Sequence, residues 1–96
     1  DNEASFEDLQ ARIAKTIKFL QSIDEKKVSG NEKKPISLKV GGQDMHFAGL
    51  NYCLQFAVPN VYFHVTVAYS ILRHNGVPLG KKDFLGAIQP DKSMAA

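Results

Sequence analysis

The chain has 96 residues, of which 44% are hydrophobic and 23% charged, and its formal net charge is +2. That composition excludes a disordered chain and a multi-domain machine, and it limits the sequence to one small globular domain with a thin stability margin. A single cysteine, Cys53, excludes an intrachain disulfide and a four-cysteine zinc site, and it points to a reducing, cytoplasmic setting.

Charge is evenly spread. Residues 1–35 carry seven acidic and seven basic groups, and residues 36–96 carry three acidic and five basic. Lys26, Lys27, Lys33 and Lys34 bracket a loop, but Asp24, Glu25 and Glu32 sit among them and no aromatic is interleaved, so a phosphate-binding stripe is not formed and no nucleic-acid partner is expected. The first eight residues hold four carboxylates, which is not a signal peptide. Residues 45–72 lack any formal charge over 28 positions, 19 of them apolar. His46, Asn51, Gln55, Pro59, Asn60, His64, Thr66 and Ser70 are scattered through this run, which argues against a membrane span and for a central helix covered by several neighbours.

In chain order, Phe6, Leu9, Ile13, Ile17, Leu20 and Ile23 recur at steps of three and four and predict a helix over about 5–24. Ser5 is its N-cap, with Asp8 in the capping-box position. Ile36, Leu38 and Val40 then alternate with Ser37 and Lys39, and Gly41-Gly42 precedes Met45 and Phe47; this predicts a β-hairpin over about 36–47. A long helix follows over about 49–75, stopped by Gly76 and Pro78, with Pro59 in its interior predicting a kink near residues 55–59. Residues 87–96 are expected to form a flexible tail. Two helices and a hairpin do not enclose a core. Further helices are therefore expected, either from an upstream segment of the same protein or from a second copy in a homodimer.

Chemistry concentrates on the long helix. At 100° per residue, Cys53, Asn60 and His64 fall within about 60° of one another, subject to the twist at Pro59. Two readings stand for this thiol, amide and imidazole. One is a ligand, metal or catalytic pocket in a bundle core; the other is a core histidine hydrogen-bonded to Asn60 or to a tyrosine hydroxyl. Cys53 has no adjacent base and reads as an inert buried thiol, His74 as a cation at the helix C-terminus, and His46 as a solvent-facing hairpin residue. Gly80-Lys81-Lys82 lacks the strand and helix a phosphate loop needs.

The run Gly41-Gly42, Phe47-Ala48-Gly49-Leu50, Phe56-Ala57-Val58-Pro59-Asn60, Tyr62-Phe63-His64-Val65-Thr66, Ile71-Leu72-Arg73-His74-Asn75-Gly76-Val77 and Gly80-Lys81-Lys82-Asp83-Phe84-Leu85-Gly86 resembles the domain-of-unknown-function family number 1993, a branch of the DinB/YfiT-like helical bundles. The opening Asp1-Asn2-Glu3-Ala4-Ser5-Phe6 resembles the same family's lead into its third helix. The resemblance implies an all-α, mainly helical fold: an antiparallel four-helix bundle with a small hairpin between its third and fourth helices. Residues 1–86 would be its C-terminal half, and the first two helices would lie upstream of Asp1. It further implies a site for a divalent metal, zinc or nickel, with His64 as one ligand. The neighbouring histidine of that pattern falls on Asn60 and another lies outside this sequence. An uncharacterised bundle with a polar pocket at Asn60 and His64, a metal- and thiol-dependent transferase or isomerase, and an oligomerisation or interaction module are the functions this leaves open.

Overall fold

The structure is a computed structural model, and it describes residues 1–91 and 93. It is mainly helical with one two-stranded antiparallel sheet. The chain divides into two compact units, Asp1–Tyr52 and Cys53–Ala96.

In the first unit, α1 spans Phe6–Gln21. It starts there because the Ser5 hydroxyl accepts the Asp8 amide at 3.1 Å, while the Asp8 carboxylate accepts the Ser5 and Ala4 amides, each at 3.1 Å. This reciprocal cap satisfies amides that have no partner within the helix. The Arg12 guanidinium donates to Glu3, tying the leading residues to the first turns. The helix ends at Gln21 rather than near residue 24. Asp24 adopts an extended conformation, and its carboxylate accepts the Lys26 amide at 3.0 Å to cap the short α2, Glu25–Val28. One residue cannot both continue a helix and cap the next, and an aspartate favours the cap.

The hairpin joins β1, Pro35–Val40, to β2, Gln43–Ala48, with Pro35 opposite Ala48 and Val40 opposite Gln43. Gly41 and Gly42 form its two-residue turn with φ of +57° and +84°, values that side chains resist and that match the twist of the flanking strands. Ile36, Leu38 and Val40 are half-buried while Ser37 and Lys39 face solvent, as alternation requires. On the solvent face Ser37 Oγ lies 2.8 Å from His46 Nδ1, and Lys39 stands 3.9 Å from Asp44.

β2 runs directly into α3, Gly49–Tyr52, whose Tyr52 ring meets Phe47 edge-on at 5.9 Å. Gly49 is buried, and the Leu50 amide donates to the Glu32 carbonyl at 2.9 Å. The approach is so close that a Cβ on Gly49 would collide with the backbone carbonyl of Asn31.

The second unit holds a π-helical turn, Cys53–Ala57, followed by α4, Val58–His74, and α5, Lys81–Leu85. α4 ends in a Schellman arrangement: Gly76 at φ +89° donates to the Arg73 carbonyl, and Val77 reaches back to that of Leu72, each at 3.1 Å. The Gly80 amide donates to Asp83 at 2.7 Å to start α5, and Phe84 packs edge-on against Tyr69 at 5.9 Å. Residues 86–91 have no regular structure. Residues 92 and 94–96 of the expected tail lie outside the described residues.

Among the described residues no hydrophobic side chain is buried. Every residue of α1 is exposed, and Leu9, Leu20, Ile13, Phe6 and Ile17 occupy an arc of about 80° at 100° per residue. On α4 the exposed Val58, Val61, Tyr62, Phe63, Val65, Val67, Ile71 and Leu72 are distributed around the whole circumference. No helix among the described residues is long and apolar enough to cross a membrane.

Two predictions follow from these local devices. Hydrogen bonds from the Ala4 amide, and then from Ser5, hold the Asp8 carboxyl below its ordinary value of 3.8. A folded pKa below the unfolded one means that the cap's contribution is present above the ordinary value and is lost as pH falls through the depressed one. Helicity followed by circular dichroism therefore drops below about pH 4, and Asp8→Asn removes that component of the transition. Gly49→Ala, which forces the Asn31 backbone aside, destabilises the hairpin unit by about 1–3 kcal/mol, read as a lower urea midpoint with unchanged slope.

Candidate functional site

Pro59 lies in the first turn of α4. It has no amide to donate, and in a continuous α-helix its ring would press on the Gln55 carbonyl. The π-turn at Cys53–Ala57 widens the backbone immediately before it, so the helical path is kept without that clash. The break expected near residues 55–59 thus takes the form of one wide turn, and the proline sits where a missing amide does least harm.

The π-turn decides which candidate side chains share a face. It acts as a one-residue insertion in the helical ladder, so Cys53 is displaced by about 100° from the position that uniform α-geometry gives it. Asn60 and His64, both within α4, keep their i, i+4 relationship, with Cβ atoms about 5–6 Å apart. The thiol is therefore carried off the face that the amide and imidazole share. All three side chains are exposed in this chain, whereas the apolar sequence around them led to the expectation of burial. The imidazole stands edge-on to the Phe63 ring at 5.4 Å and 80°.

Among the described residues no three of His, Cys, Asp and Glu lie together. α4 offers one imidazole and one neutral amide here, and a zinc or nickel site needs three or more good donors. These residues do not fit a metal ion by themselves.

The other histidines have local roles. His46 faces Ser37 across the hairpin, and His74 is the last residue of α4. Further along α4, Arg73 donates to the Tyr69 hydroxyl at 2.9 Å. Tyr69, Val65, Ala68, Leu72, Leu79, Asp83 and Phe84 line an open groove of about 300 Å³ between α4 and α5. No sequence pattern around Tyr69 singles out this groove, which forms where the Phe84 ring of α5 meets Tyr69.

The helices and the small antiparallel hairpin make a mainly helical fold, and that fold is shared with a solved protein of the DinB class. The chain aligns with the crystal structure of a DinB family member protein from Shewanella denitrificans with a TM-score of 0.76 and 36% identity, covering 94% of this chain and 50% of that one. It thus spans about half the length of that relative. Residues 1–85 match the family described as Domain of unknown function (DUF1993), and the chain belongs to that family. No curated protein matches it.

The π-turn gives a direct test of this geometry. Pro59→Ala restores an amide and removes the ring, so residues 53–58 should revert to α-helical pairing. Hydrogen-bond couplings measured by NMR would then connect each amide to the fourth preceding carbonyl rather than the fifth. Persistence of the π pattern in the variant would show that Pro59 is not its cause.

Proposed function

We propose that this chain forms one half of a DinB-like four-helix bundle, completed by two further helices of the same polypeptide, and that Asn60 and His64 form a polar pocket for a small ligand inside it. The observation that carries this reading is the character of α4. Its exposed apolar side chains surround the helix, including Phe63 at 63% and Val61 at 59% exposure, and the Asn60–His64 pair lies among them. A helix apolar all round is stable in water only when several neighbours cover it. Once it is covered, the amide and the imidazole need hydrogen-bond partners, because an unsatisfied buried polar group costs about 1–3 kcal/mol. Neither side chain has a hydrogen bond among the described residues. A bound molecule supplies the missing partners.

The narrow stripe on α1 supports the same architecture. An arc of about 80° suits a helix facing one seam of a bundle, with Glu7, Arg12, Lys15 and Lys18 turned to water. The related crystal structure, twice as long as the stretch it shares with this chain, supports a same-chain origin for the covering helices.

The test uses the intact natural polypeptide. Asn60→Leu combined with His64→Leu should leave the melting temperature unchanged or raise it by several degrees, while a small molecule seen by native mass spectrometry of the parent protein disappears. A drop of several degrees with no bound molecule in the parent would identify the pair as structural. Ile13→Asp should lower stability without changing the mass in solution; conversion of a dimer into a monomer would place a second copy on this face instead.

A further inference from the structure

α4 carries more apolar surface than one bundle core covers, and this step rests on the placement of the Asn60–His64 face inside the bundle proposed above. A core-facing helix buries a stripe of about 100° or somewhat more. Val65 lies about 100° from His64 and about 140° from Asn60 around the helix, so a core on the side of that pair leaves the Val65 side uncovered. Thr66, Ser70 and Arg73 form a narrow polar strip on its other flank.

The uncovered side is a regular seam. Val58, Val65 and Leu72 recur at intervals of seven; Val61 and Tyr62 stand four and three residues before Val65, and Ala68 and Tyr69 stand three and four after it. A seven-residue apolar repeat is the pattern by which one helix packs along another. No Asp, Glu, Lys, Arg or His interrupts it, and Val58, Val61, Tyr62, Val65 and Leu72 are all exposed.

The spacing of the seam is the same read in either direction from Val65. A two-fold axis there sets an antiparallel copy with Val58 opposite Leu72, Tyr62 opposite Ala68 and Tyr69 opposite Val61, so each tyrosine ring meets a smaller side chain. The surface is also hollowed at both ends. Ala57, Val58, Val61 and Tyr62 line one open hollow of about 280 Å³, and the α4–α5 groove of about 300 Å³, walled by Leu79 and Phe84, lies at the other end. The axis brings each hollow against the opposite end of the partner's seam, with a Tyr62 ring over the groove and a Leu72 side chain over the other hollow. A covering helix of different sequence requires no such symmetry about Val65, whereas an isologous contact between two copies does.

We propose that α4 is the contact helix of an antiparallel homodimer, in which two copies meet through the seam over residues 58–72 about a two-fold axis at Val65.

The experiment uses the intact natural polypeptide. Sedimentation equilibrium of the parent should give twice the chain mass, and Val65→Asp should give the single-chain mass with unchanged helicity. Val65→Cys, made with every native cysteine replaced by serine, is a gentler change that places a thiol on the axis against its own counterpart. Oxidation should therefore link two copies through position 65, while Thr66→Cys in the same background, turned to the polar strip, should stay unlinked. A monomeric parent whose Val65→Asp variant stays folded overturns the dimer and leaves the bundle standing. A monomeric parent that unfolds on Val65→Asp has the seam inside its core, which overturns both the dimer and the inward placement of Asn60 and His64. A dimer that survives Val65→Asp uses another face and overturns the proposal. Where a dimeric parent fails to fold with Val65→Asp, the two thiol variants decide: a link at 65 alone supports the seam, and any other result overturns it.

Discussion

α4 presents apolar side chains in every direction, and water does not tolerate that arrangement for a helix on its own. Fully burying a valine, leucine or phenylalanine contributes about 1.5–3 kcal/mol, and among the described residues no hydrophobic side chain collects that contribution in full. The same deficit appears on the α1 stripe. The meaning of the remaining features depends on how it is met. Asn60 and His64 are ordinary surface groups on a bare helix; on a covered one they are polar groups that require partners.

Each unit shows how far local devices carry a chain without a core. The Ser5–Asp8 cap, the Asp24 cap, the glycine turn of the hairpin and the Schellman ending of α4 all satisfy backbone groups within a few residues. Such caps and turns define where elements start and stop, typically at about 1 kcal/mol each. They do not replace packing, from which most helical stability in proteins derives. Membership of the DUF1993 family and the likeness to a longer DinB family member fit a chain whose elements are well delimited and whose faces are unsatisfied.

Pro59 connects backbone geometry to the candidate site. A continuous α-helix would align Cys53 with Asn60 and His64, and the π-turn before the proline takes the thiol away from them. The pair that remains lies in a stretch of helix without Asp, Glu, Lys or Arg.

Much of the architecture was legible because it is local. The 3.6-residue period from Phe6 to Leu20, the alternation of Ile36, Leu38 and Val40, the paired glycines and Gly76 each specify backbone conformation through nearest neighbours. The run from Phe47 to Gly86 carried the family. Less was legible where two signals competed or where distant backbone segments met. Ile23 continues the apolar period, yet Asp24 ends the helix early by capping α2. Pro59 announced a disruption, but only the folded backbone shows that a wide π-turn absorbs it and which side chains it separates. Gly49 looked like any helix-opening glycine until the Asn31 carbonyl was found against it. By itself, then, the sequence determined the elements, their caps and the apolar character of their faces, because these follow from short-range sterics and periodicity. The three-dimensional structure decided which side chains share a face and which glycine cannot change, because both depend on contacts and register beyond the reach of neighbouring residues.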